Sequence, residues 1–145
     1  CQGARRGYAK INAAYSHFRL QEHVAQRGPS GRRHFNRIVG HRHAQLHFLH
    51  DLVSRCSKPV VVTGDFNTFL GSREMGPFMK SAGLRNANVH GTPSYPSRAP
   101  RMELDFILYS SGIKITDFFI PDVGLSDHLP LVCDFEFCPA IPKAA

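Results

Sequence analysis

A chain of 145 residues, 42% hydrophobic and only 20% charged, has the length of one ordinary domain and enough apolar residues for a core, which excludes wholesale disorder. Its apolar runs, around Val60–Val62 and Phe118–Ile120, are strand-sized and far short of the ~20 residues that cross a bilayer as a helix. The formal charge of +7 is concentrated early: residues 1–58 hold 11 Lys and Arg against Glu22 and Asp51, whereas residues 59–145 hold 7 against 9 acids.

A cationic stretch attracts nucleic acid, acidic lipid or any phosphate-rich substrate without selecting among them, and a solvated surface accounts for the same charges. Cys1, Cys56, Cys133 and Cys138 are too few and too irregular for a disulfide scaffold, and they leave the compartment open. The opening Cys-Gln-Gly-Ala-Arg-Arg has neither a starting Met nor a signal-peptide pattern, so a truncated start is expected.

In chain order, Tyr8, Ile11, Ala13 and Tyr15 alternate weakly into Ser16-His17-Phe18, which suits a short strand. Residues 21–40, broken by Gly28-Pro29-Ser30-Gly31, read as loop or frayed helix. From Gly40 to Arg55, Leu46, Leu49, Leu52 and Val53 recur at helical spacing and predict an amphipathic helix, with His43, His47 and His50 on its polar side. Pro59 opens the β-branched run Val60-Val61-Val62-Thr63, a strand covered on both faces that Gly64 ends. A second helix is expected over Ser72–Ala82, with Ser72 as N-cap and Gly83 as stop. Residues 90–102 read as loop, followed by strands at 103–109, 113–120 and 130–137. In the last of these Leu131, Cys133, Phe135 and Phe137 alternate with Asp134 and Glu136. Mixed helix and strand around a buried strand define an α/β or α+β class.

Three short motifs stand in or at the ends of these strands: Gly64-Asp65-Phe66-Asn67, Leu104-Asp105-Phe106-Ile107-Leu108 and Ser126-Asp127-His128-Leu129-Pro130. Singly, each suits an ordinary turn or a satisfied strand carboxylate. Together and in this order they resemble the C-terminal signature of the endonuclease/exonuclease/phosphatase superfamily. That superfamily takes in pancreatic-type deoxyribonucleases, abasic-site endonucleases, bacterial sphingomyelinases and inositol polyphosphate phosphatases. The resemblance extends through most of residues 58–137, including the Thr92-Pro93-Ser94-Tyr95-Pro96 approach to Leu104. Upstream, Ser16-His17-Phe18 followed by Arg42 and Gln45 is similar to the family's "T-H-L … R-x-x-Q" segment.

The resemblance implies a fold and a chemistry. The fold is half of a four-layered α/β sandwich, with mixed, mostly antiparallel sheet and flanking helices, over residues 1–137 and a tail at 138–145. The chemistry is hydrolysis of a phosphate ester, which needs an aligned water, stabilised phosphoryl charge and a neutralised leaving oxygen. By resemblance Asp65 orients or deprotonates the water and Asn67 donates a hydrogen bond to the phosphate or positions its neighbour. His128 sits against the scissile phosphate, held by Asp105, and His17 joins them. Asp127 binds a divalent ion, Mg2+ or Mn2+. The substrate is a phosphate ester of nucleic acid, a phospholipid head group or an inositol phosphate.

Other constellations are weaker. Ser126, Asp127 and His128 are adjacent and cannot form a nucleophilic triad from one turn, and no G-x-S-x-G elbow is present. His43 and His47 have zinc spacing, but Ala44 stands where a metalloprotease needs Glu, so they read as a solvated face. The family's principal metal-binding Glu has no counterpart, since Glu22, Glu74, Glu103 and Glu136 lie outside its strand context. The expected partner is therefore the missing N-terminal half of the same domain, and a sheet face left uncovered by its absence should bind a partner or aggregate. The alternative is a non-catalytic polyanion- or nucleic-acid-binding remnant.

Overall fold

The computed structural model describes residues 31–138, with side chains from Arg42 onward. The expected strand running into Ser16-His17-Phe18 and the tail beyond Cys138 lie outside them. In order, the elements are α1 (Gly31–Ser54), β1 (Val61–Asp65), α2 (Ser72–Ala82), β2 (Leu84–Asn86), β3 (Asp105–Ser110), β4 (Ile113–Phe119) and β5 (Val132–Phe137). β1, β3 and β2 form one antiparallel sheet with β3 central, and β4 pairs with β5 in a second.

The pleat of β3 divides the interior in two, because successive side chains of a strand point to opposite faces. Phe106 and Leu108 face one side and join Val53, Met75, Phe78 and Leu84, with Leu46, Leu49, Val60, Val62 and Phe66 packed around them. This is the helix-facing core. Ile107 and Tyr109 face the other side with Val61, where Cys133, Ile115 and Phe118 of the second sheet and Leu131 just before β5 meet them. The described residues thus make three layers, helices on sheet on sheet, an α+β arrangement. The run of consecutive valines is explained: Val62 serves one core and Val61 the other.

Several expectations need correction. α1 begins at Gly31, not near Gly40, because one interior glycine costs only about 1 kcal/mol and does not end a helix whose downstream turns are packed. β1 runs through Gly64 to Asp65, because Phe66 N–H still bonds Leu104 O at 2.8 Å and carries the ladder past the glycine. Leu52 is exposed while Leu46, Leu49 and Val53 pack. β2 was not anticipated; Leu84-Arg85-Asn86 is too short to show a period. Nor is a face of the three-stranded sheet bare, since β4 and β5 fold back over it; the exposed apolar residues lie elsewhere, including Phe48 on α1, Phe119 and Phe137 on the outer sheet, and Leu125. A bulge between Ile115 and Asp117 lets Ile115 and Phe118 both point inward.

Ser72 is not the N-cap of α2; Gly71 is, and its side-chain-free position has a cause. Glu103, reaching from the segment before β3, puts Oε2 within 2.7 Å of where a Cβ on Gly71 would stand. The same oxygen accepts Ser72 N–H at 2.7 Å, so the carboxylate caps the positive end of the helix from outside it. Its other oxygen takes Ser72 Oγ at 3.0 Å and Asn86 Nδ2 at 2.9 Å. The Glu103 carbonyl accepts Thr68 Oγ. One side chain therefore ties α2 and β2 to the strand that carries Asp105.

Glu103→Ala leaves these donors without their acceptor and is expected to cost about 2 kcal/mol, read as a lower urea midpoint at unchanged slope. Leu125→Ala, at a residue 93% exposed, should stay within about 0.5 kcal/mol of the parent.

Candidate active site

The β1–β3 register sets the site. Asp65, the last residue of β1, lies directly opposite Asp105, the first of β3. Phe66 and Leu104 are hydrogen-bonded neighbours in the ladder, so Asp65 and Asp105 form a non-hydrogen-bonded pair, the kind whose side chains come closest. Two like charges so placed repel. They sit on the face of the sheet shared with Val61 and Ile107, at its end, beside the long β4–β5 connection that carries Asp127 and His128.

That connection is fastened to the loop before β3. Ser97 N–H bonds Asp127 O at 2.7 Å, Ser97 Oγ bonds Ser126 O at 2.5 Å, and Leu129 N–H bonds Ser94 O at 2.8 Å. The result is that His128 Nδ1 meets Asp105 Oδ2 at 2.8 Å. An ionised carboxylate only accepts, so Nδ1 carries the proton and the opposite ring nitrogen, Nε2, is left for other work. The Tyr95 ring lies against the imidazole, centroids 4.7 Å apart and tilted by 46°. Ser94 Oγ donates to the same Asp105 oxygen at 2.5 Å.

Asp65, Asp105 and His128 each offer a ligand atom, all within 4.8 Å of one another, a grouping able to hold a metal ion. Partial burial, opposed by the Asn67 N–H bond and aided by the Asp105 charge, raises the Asp65 carboxyl above its usual 3.8. The Asp105 hydrogen bond, against the drag of desolvation, raises His128 above 6.5. Asp65 Oδ1 accepts Asn67 N–H at 2.8 Å, an Asx turn that holds Asn67 at a φ of 50°.

Of the anticipated site residues, the fold gathers Asp65, Asp105 and His128. Asp127 is outside the 4.8 Å group, but its charge reaches both Asp65 and His128, and its Oδ1 accepts Ser126 Oγ at 3.1 Å. Asn67 follows Asp65 in the turn, and its amide side chain makes no hydrogen bond among the described residues. His17 lies outside those residues. Sequence reasoning named Ser94 and Tyr95 only as part of a loop; nothing in their spacing marks one as holding Asp105 and the other as backing His128. His43 and His47 are exposed on α1, as a solvated face should be. Arg42 is instead buried and paired with Glu74, whose other oxygen accepts the Phe69 and Leu70 N–H groups.

With this geometry of two strand-end carboxylates and a carboxylate-held imidazole described, comparison with known proteins shows the family. The profile of the Endonuclease/Exonuclease/phosphatase family matches residues 3–128, and the chain belongs to that family. It is also similar to a UPF0294 protein of Yersinia pseudotuberculosis serotype O:1b and to one of Yersinia pestis, each 33% identical over 94 residues. These matches cover 63% of this chain, and 35% of the length of each relative. No solved structure matches.

Two titrations check the electrostatics. The His128 ring should titrate above 6.5 by NMR and fall in Asp105→Asn, since the main cause of the rise is removed. The stability this pair contributes is complete below 6.5 and is lost as pH climbs through the folded-state value. Asp65 has the opposite sign: a raised carboxyl penalises the native state when ionised, and the penalty fades as pH falls through its folded-state value. Asp65→Asn is therefore expected to raise the melting temperature at neutral pH, measured by calorimetry, while the Asx turn survives through the amide oxygen.

Proposed function

We propose that this chain carries the hydrolytic centre of a divalent-metal-dependent phosphoesterase that cleaves phosphodiesters or phosphomonoesters. The observation that carries the reading is the convergence of Asp65, Asp105 and His128 from β1, β3 and the β4–β5 connection. Family membership supports the reaction type, and the geometry supports an assignment of roles.

His128, its Nδ1–H held by Asp105, directs Nε2 at the scissile phosphate; its raised basicity favours the imidazolium, which donates to a phosphoryl oxygen. Asp65, made more basic by partial burial, accepts the proton of the attacking water and aligns it. The free amide of Asn67 donates to a second phosphoryl oxygen.

The uncommitted oxygens fit a hard cation. Asp127 Oδ2 accepts no hydrogen bond among the described residues and would hold the ion, whereas the free oxygen of Asp65 is given to the water and His128 Nδ1 is already engaged. Oxygen donors of this kind suit Mg2+ or Mn2+ better than zinc. Such an ion, when bound, would supply charge neutralisation at the phosphate ester. Glu103 and Glu74 are consumed by structural hydrogen bonds, and Glu136 is exposed on β5. The Glu that the family resemblance calls for is accordingly supplied from outside residues 31–138, as is the contribution of His17. The substrate is drawn from nucleic acid, phospholipid head groups and inositol phosphates.

The test is hydrolysis of bis(p-nitrophenyl) phosphate and p-nitrophenyl phosphate with and without Mg2+ or Mn2+. Chelation should abolish turnover, readdition should restore it, and Asp127→Asn should raise the metal concentration required. Asp105→Asn should lower kcat by about 10-fold or more with the fold intact. Salt-dependent binding of a polyanion without any turnover would instead support the non-catalytic reading.

A further inference from the structure

Ser94 is 1% exposed, and each of its polar groups is spent on the two segments that form the Asp105–His128 pair. Its backbone oxygen accepts Leu129 N–H at 2.8 Å, fixing the residue next to His128. Its N–H bonds Met102 O at 3.0 Å, fixing the approach to β3. Its hydroxyl donates at 2.5 Å to Asp105 Oδ2, the oxygen that also takes His128 Nδ1–H. A buried serine that needs only to satisfy itself can bond any nearby carbonyl; this one is aimed at the carboxylate of the pair.

We propose that Ser94 is a positioning residue of the site, the third member of a Ser94–Asp105–His128 chain that fixes the rotation of the Asp105 carboxylate and through it the plane of the imidazole. The terminal torsion of an aspartate is broad and roughly two-fold, so a single partner does not choose which oxygen faces which donor. Two donors on one oxygen do, and a hydroxyl bonded to a charged carboxylate makes a short, strong restraint. The loop from Thr92 to Ser97 then acts as a splint. It holds the β4–β5 connection with Ser97 and the backbone of Ser94, and it holds the carboxylate with Ser94 Oγ. Asn88 secures the start of this loop, donating to Thr92 O at 2.9 Å and accepting Thr92 N–H at 3.0 Å.

The proposal rests on the phosphoesterase reading for its consequence in turnover, but not for its geometry, so the two are tested separately. The His128 side chain is followed by nitrogen-edited NMR in the full chain, together with kcat and KM on bis(p-nitrophenyl) phosphate and a melting curve for each variant. The parent should show a low-field Nδ1–H proton protected from exchange. In Ser94→Ala, which removes one oxygen atom, that proton should broaden or vanish; kcat should fall about 10-fold with KM nearly unchanged, the size usual for the loss of an outer hydrogen-bond partner. Ser94→Thr, which keeps the hydroxyl, should restore both. If alanine unfolds the chain, Ser94→Cys, a poor donor of similar shape, takes its place with the same expectation. A protected Nδ1–H and unchanged kcat in a folded Ser94→Ala would overturn the proposal, as would a parent in which no such proton exists. A protected proton that Ser94→Ala removes, in a parent without turnover, would uphold the chain of contacts independently of the phosphoesterase reading.

Discussion

The site depends on the pairing register of β1 with β3. In an antiparallel ladder a slip of one residue turns every side chain of a strand to the other face. Here the register that sends Phe106 and Leu108 under the helices also puts Asp65 opposite Asp105 on the far face. Burial of the apolar alternate positions thus drives two carboxylates together, although their repulsion opposes it. The hydrophobic core contributes the free energy that holds an unfavourable charge pair in place, and the basicity of Asp65 is raised by its partial burial first and by the Asp105 charge to a smaller extent.

The second sheet completes this arrangement. β4 and β5 cover the carboxylate-bearing face through Ile115, Phe118 and Cys133, with Leu131 just before β5, and their connection brings His128 to the end of β3. Ser97, Ser94 and Tyr95 then fix that connection by hydrogen bonds and ring contact. Glu103 performs a similar service by tying α2 and β2 to the entrance of β3.

Much of this could be read from the residues. The valine run, the alternation of β5 and the Gly83 stop each reflect a local rule, and the structure keeps β1, β5 and the end of α2 close to where those rules put them. The motifs Gly-Asp-Phe-Asn, Leu-Asp-Phe-Ile-Leu and Ser-Asp-His were legible as a set, and Asp65, Asp105 and His128 do meet. What sequence could not reveal was long-range partnership. Ser72 looked like an N-cap because capping is usually local, yet a carboxylate 31 residues away performs it. Ser94 looked like a loop residue because its partner, Asp105, lies across a turn whose closure no local pattern announces.

The left-handed backbone of Asn67, at a φ of 50°, alters how that position can be interrogated. Asparagine and aspartate tolerate this conformation, glycine favours it, and a Cβ-bearing residue without a short polar side chain pays in strain. A truncation to alanine would therefore disturb the turn that holds Asp65 Oδ1 along with the amide itself, and any loss it produced would mix backbone with chemistry. Glycine keeps the turn and deletes the amide; aspartate keeps the turn and reverses the donor. Comparing those two separates a geometric contribution from a chemical one at a place where the usual scanning residue cannot.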